Sequence, residues 1–136
     1  MSDEGQSWLE RLSPAAWLDA ASGELQRAAV ALVGKQQRAG VTQARRAAGM
    51  AWNAVLLGIA DLDERARYGR SYMDHLRVLK EEASVPASIR EAASALVGVA
   101  LDQQLVQLGP GDTRLADAAS AIVEEARRRV DGSARS

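Results

Sequence analysis

The feature that most constrains this chain is its alanine content: 27 of 136 residues, against no Phe, two Tyr and three Trp. Alanine loses no side-chain entropy in a helix and has the highest helix propensity. A sheet needs β-branched and aromatic residues to cover its pleated faces, and Thr and Ile number only two and three. The chain therefore reads as all-α, built from closely packed helices. Apolar residues at 47% are enough for a core, and the length suits one domain. With 17 Lys+Arg against 18 Asp+Glu, the net charge is −1. That balance excludes a strongly basic nucleic-acid coat or a polybasic membrane anchor as a property of the whole chain.

Helix boundaries are legible from local chemistry. Residues 1–12 read as a loosely ordered lead-in in which Trp8 and Leu9 could dock on the body. Ser13-Pro14 starts the first helix: Ser13 caps free amides and Pro14 sits where a missing N–H costs nothing. Leu12 and Trp17 form a hydrophobic staple, and Leu18, Ala21, Leu25, Ala28 and Leu32 recur on one face. Gly34 through Gly40 reads as a loop. A second helix is expected from about Val41 to Ile59, with Gly49 and Gly58 either marking a close backbone approach or simply weakening it. Asp61-Leu62-Asp63-Glu64 is an acidic helix start, and Gly69 a break. Ser71 and Asp74 match a capping box for a third stripe of Tyr72, Leu76, Leu79 and Ala83. Pro86 then opens a fourth helix as its first residue, with Ile89, Ala93, Leu96 and Ala100 on one face. Val97, Val99, Leu101, Leu105 and Val106 broaden that face, which predicts a central helix or a subunit interface. Gly109-Pro110-Gly111 is the clearest turn. Asp112 or Thr113 caps a last helix carrying Leu115, Ala118 or Ala119, Ile122, Ala126 and Val130, with Arg127-Arg128-Arg129 in its last turn. Residues 13–131 thus form one domain, an antiparallel four- to five-helix bundle, and 132–136 a frayed tail.

Most chemistries fail by inventory. No Cys is present, so there is no disulfide, thiolate metal site or cysteine nucleophile. One His, His75, excludes His-rich zinc sites, and Tyr72 at three residues before it breaks the Glu-x-x-His pattern of di-iron bundles. No phosphate-binding glycine loop or serine elbow occurs. No metal or cofactor is expected. Asp61, Asp63 and Glu64 could hold a hard cation weakly, or simply start a helix. The acidic N-terminus is neither a signal nor a transit peptide, and no apolar run reaches the ~18 residues of a membrane span. A soluble cytoplasmic protein is the expectation.

One constellation carries possible chemistry: Arg70-Ser71-Tyr72-Met73-Asp74-His75. With Ser71 as cap, His75 lies one turn inside a helix whose amino end favours anions and a neutral imidazole. Arg70 could hold a phosphate, His75 act as base or acid, and Tyr72 or Tyr68 offer a hydroxyl or a stacking face. The bland reading is a histidine at the edge of the apolar stripe, hydrogen-bonded to a neighbour. The basic clusters Arg45-Arg46 and Arg127-Arg128-Arg129 read as solvated helix faces, or else as nucleic-acid contacts.

Between about Trp17 and Val130 the layout resembles the HEPN superfamily of small prokaryotic helical bundles. The carriers are the Ala-rich stretch Ala44-Arg45-Arg46-Ala47-Ala48-Gly49-Met50-Ala51-Trp52-Asn53-Ala54-Val55-Leu56, the His75-Leu76 helix start, the opening of the next helix from Val85-Pro86 to Ala93, and a closing amphipathic helix. The resemblance implies a homodimer. Some members are metal-independent ribonucleases of toxin type that use an Arg-x4–6-His motif, matched here by Arg70 and His75. Others lack catalysis and act as partners of nucleotidyltransferases or as ligand-binding bundles. The expected function is therefore a non-enzymatic interaction protein that homodimerises and binds a protein partner, an antitoxin or a nucleotidyltransferase-type protein. The alternative is a metal-independent endoribonuclease, acting on RNA with Arg70, His75 and Tyr72 across a dimer.

Overall fold

A computed structural model describes residues 8–34, 36–99 and 112–135, with side chains described to Gly132. Among these the chain is all-helical. A 3-10 turn, Leu9–Arg11, precedes six α-helices: α1 Pro14–Val33, α2 Gln37–Leu57, α3 Leu62–Ala66, α4 Tyr72–Leu79, α5 Ala87–Gly98 and α6 Arg114–Arg135. Helix α2 lies against α1 and α6, α6 also against α1 and α5, and α4 against α2 and α5. No helix among the described residues is long and apolar enough to cross a membrane.

The local start signals act as their chemistry requires. Ser13 Oγ accepts the Ala16 amide at 3.1 Å, with Pro14 in the first turn. The Asp61 carboxylate accepts the amides of Asp63 and Glu64 at 2.9 and 3.2 Å, so it is occupied as a helix cap. Ser71 and Asp74 close their capping box, and the Ser71 amide holds the Asp74 carboxyl below its ordinary pKa. Gly69, at φ +73°, makes the turn between α3 and α4 in the left-handed region.

Several boundaries move. Helix α2 begins at Gln37, so Gly40 is inside its first turns rather than in a loop, and its amide bonds the Gln36 carbonyl. The reason is packing: a Cβ at Gly40 would lie 2.6 Å from Leu32 Cγ, so glycine lets α2 settle directly on α1. Helix α4 stops at Leu79, and Ala83 is exposed in turns instead of extending its stripe. Arg90 donates to the Val85 carbonyl at 2.6 Å and to that of Glu82 at 3.4 Å, tying down this connection. Pro86 is the cap of α5, not its first residue. Helix α5 ends at Gly98, with Val99 extended, so the broad apolar helix does not run on through Val99. Its buried residues Ile89, Ala92, Ala93 and Leu96 face the body. The expected continuation over Ala100–Val106 and the turn at Gly109-Pro110-Gly111 lie outside the described residues, as do residues 1–7. Helix α6 continues to Arg135, past the point where a tail was expected, and places Arg127-Arg128-Arg129 two turns before its end.

The core is alanine and leucine with a single tryptophan at its centre. Ala21, Ala28, Ala44, Ala48, Ala51, Ala93, Ala119 and Ala126 are fully buried, with Trp52, Leu32, Leu56, Leu76, Leu79, Leu96 and Ile122 filling the volume between them. Gly49 marks a true close approach. A Cβ there would sit 2.3 Å from Tyr72 Cβ, so α4 rests on the bare backbone of α2.

Candidate functional site

The residues singled out for chemistry are distributed as follows. His75 is fully buried, with 0% of its surface exposed. Its Nδ1 lies 2.7 Å from the Tyr68 carbonyl oxygen, and Nε2 lies 2.8 Å from the side-chain amide of Asn53, also fully buried. The Trp8 indole stacks over the ring at 6.2 Å, and Tyr72 meets it edge-on at 6.4 Å. Tyr72 and His75 are thus neighbours. Arg70 is exposed in the turn before α4, and its side chain forms no ion pair among the described residues. The sequence motif is therefore divided between solvent and core.

Burial lowers the His75 pKa, opposed by the Tyr68 carbonyl and by Asp74. As placed, Asn53 Oδ1 faces Nε2, so both ring nitrogens meet oxygens and a neutral ring can donate to only one; donation from Nδ1 to Tyr68 leaves Nε2 an acceptor that only a turned Asn53 amide, presenting Nδ2, would satisfy. With its oxygen toward Nε2, Asn53 Nδ2 is a buried donor with no partner. Turning the amide replaces an orphaned N–H by an orphaned carbonyl, the lesser cost. Sequence reading gave Asn53 no role, yet it had a signal: a lone Asn in the otherwise small and apolar stretch from Ala47 to Leu57.

The lead-in completes this cluster. Leu9 is fully buried, and the Trp17 indole N–H donates to its carbonyl at 2.8 Å. Trp8 and Leu9 do dock, as their hydrophobicity suggested, and Leu12 and Trp17 both join the core.

Neither basic cluster is a free charged face. Arg45 donates across 51 residues to the Leu96 carbonyl at 2.8 Å and also to Val99, capping the end of α5. Arg46 lies 3.8 Å from Glu24, which also binds Arg27 at 2.9 Å. Arg127 donates to Ser22 on α1. Arg128 and Arg129 both hold the buried Glu125, and Arg129 also reaches the Ser84 carbonyl and stacks over Trp52 at 5.6 Å. Arg65 donates to the carbonyls of Leu56 and Ile59 at the end of α2, both at 3.0 Å. Guanidinium forks thus satisfy last-turn carbonyls that have no helical partner. From sequence these clusters read as solvated faces or nucleic-acid contacts, because each partner is distant or a backbone atom.

Where polar groups are satisfied, apolar surface is not. A hollow of about 810 Å³ opens where the start of α1, the end of α2 and the last turns of α6 diverge. Pro14, Val55, Leu57, Ile59, Val130 and Arg129 line it, and Ala15, Ala54, Gly58 and Gly132 are too short to fill it. No group of three or more His, Cys, Asp or Glu suited to a metal occurs among the described residues. Compared with known proteins, the chain matches no family model, no curated protein and no solved structure.

Proposed function

We propose that this chain is a helical-bundle interaction protein, HEPN-like in layout, that homodimerises and binds a protein partner. In this reading His75 is structural: it locks the lead-in, α2 and α4 together. The observation that carries it is the full burial of His75, with both ring nitrogens engaged inside the chain. An imidazole so placed has no open nitrogen for a substrate proton, and general acid–base catalysis requires one within hydrogen-bond reach. The unfilled apolar hollow supports a binding role, because a surface of that kind gains by being covered.

The adjacency of Tyr72 and His75 favours the second reading, the metal-independent ribonuclease. It requires Trp8 to leave and Arg70 to come from another copy. Incubating RNA in EDTA with the parent, Arg70→Ala and His75→Ala separates the two, with circular dichroism verifying that each variant is folded. The expected result is intact RNA with the parent. Cleavage by the parent that disappears in folded Arg70→Ala overturns the interaction reading. A strictly monomeric, well-folded parent removes its homodimer half.

A further inference from the structure

We propose that the lead-in is a strap released by a proton: charging His75 lifts Trp8–Arg11 off the ring while the helices stay folded. The device follows from what surrounds His75 and is independent of homodimerisation.

The first argument is what each neighbour offers a second proton on the ring. Nδ1 lies 2.7 Å from the Tyr68 carbonyl oxygen, and Nε2 lies 2.8 Å from Asn53 Oδ1. An imidazolium donates from both nitrogens, so it finds one acceptor in the turn after α3 and another on α2. The charged ring therefore keeps its bonds between α4 and the body. What it lacks is water, because it is fully buried, and a buried charge is costly. Trp8 covers it with an indole stacked at 6.2 Å, beyond the ~6 Å within which an aromatic face attracts a cation. Hydration of the charge comes from lifting Trp8 and leaves the helix contacts in place.

The charges around the ring do not substitute for that water. On α4, Asp74 favours the charged ring, but its carboxylate already accepts from the Ser71 amide and from Arg77. Tyr72 meets the ring edge-on as a neutral phenol, held neutral further up in pH by burial. The turn after α3 presents the Tyr68 carbonyl and α2 the uncharged Asn53. On the lead-in, Glu10 and Arg11 are exposed. Burial outweighs the rest and keeps the ring neutral under the strap.

The second argument is that the strap can leave alone. Leu9–Arg11 is one 3-10 turn with no side-chain cap. It is held by buried Leu9, whose carbonyl accepts the Trp17 indole N–H at 2.8 Å, and by Trp8 on the ring. Leu12 and Ser13 behind it are extended, and α1 has its own start, the Ser13 Oγ accepting the Ala16 amide at 3.1 Å. Lifting thus ends at Leu12, and α1 stays capped. Linkage fixes the sign. A released ring takes its proton near the ordinary 6.5 and a docked ring at lower pH. Docking is at full strength above 6.5 and weakens about tenfold per pH unit below it, until the docked ring also charges.

The test uses the full chain, whose one histidine makes its ring-proton NMR signal unambiguous. Acrylamide quenching of tryptophan fluorescence between pH 7 and 5 follows the strap, and far-UV circular dichroism follows the helices. Trp8 is expected to become quenchable with the midpoint of the His75 titration, below 6.5, at constant helix content. Trp8→Ala should move that midpoint up toward 6.5, because linkage is reciprocal. A folded His75→Gln should lose the pH dependence of quenching. Trp8→Ala alters the half-buried cover rather than the core, so the test does not hang on the folding of His75→Gln. Quenching that is flat across this range, or that follows a midpoint other than that of His75, overturns the strap. So does helix content lost in step with Trp8, or a titration that Trp8→Ala leaves unmoved.

Discussion

The two ends of α2 are finished differently. Around Asn53 and Gly49, polar atoms and glycine backbone meet the lead-in and α4 with almost nothing exposed: His75, Asn53 and Leu9 are all fully buried. Toward Ile59 the same helix runs into a hollow of about 810 Å³ walled mainly by aliphatic side chains, with Arg129 among them. Of the residues singled out for chemistry, His75 and Tyr72 pack against the lead-in and α2 while Arg70 stays exposed, and the open surface is lined mainly by aliphatic residues. A buried polar group is costly unless bonded, and both ring nitrogens of His75 are engaged. Apolar surface left in water is less costly per atom and can wait for a partner.

That contrast can be broken most strongly at its tight end. Gly49→Ala drives a methyl into Tyr72 and should lower stability by about 3 kcal/mol, the upper range for overpacking, measured by urea unfolding. His75→Leu keeps the volume but strands the Tyr68 carbonyl and Asn53 in the core. A loss of about 2 kcal/mol is expected, from two buried groups left without partners. Its pH signature is distinct. The folded pKa of His75 lies below its ordinary 6.5, so the neutral ring stabilises the fold fully above that value. Stability then falls as pH drops through 6.5 toward the folded pKa, and Leu at position 75 removes that part of the slope. If parent and variant lose stability in parallel between pH 7 and 5, the buried neutral histidine is wrong.

Changes at the open end should be smaller. Arg65→Met frees the last carbonyls of α2 and should cost about 1 kcal/mol. Hydrogen exchange localises it: faster exchange confined to α3 and the end of α2 is expected, and protection unchanged there would show that Arg65 does not hold α3 in place. Leu62→Asp should alter monomer stability by no more than about 0.5 kcal/mol, as for an ordinary surface position. A larger loss would mean that α3 belongs to the core after all.

How much of this was legible depends on distance along the chain. Ser13-Pro14, Asp61 and the Ser71–Asp74 box were readable because cap and amide are three residues apart or fewer. The buried stripes of α1 and α6 followed from periodicity. Gly40 misled because glycine is both a helix breaker and the residue that permits helix contact, and only Leu32 decides which. The end of α4 was overrun because Ala83 fits the period, while the turn there is fastened by Arg90. For the candidate site, Arg70, Tyr72 and His75 could be named, but their separation into surface and core could not. Asn53 and Trp8, which close around His75, lie 22 and 67 residues away by number. The hollow has no motif, since it arises from short side chains where three helices diverge.

Sequence alone determined that the chain is helical, where most helices start, and which faces are buried, because alanine propensity, caps and period are local quantities. Tertiary structure decided that His75 is buried against Tyr68 and Asn53, that arginines close helix ends up to 54 residues away, and that a mostly aliphatic hollow stays open where α1, α2 and α6 diverge. Those outcomes depend on which surfaces meet, and burial and long-range hydrogen bonds exist only once they have met.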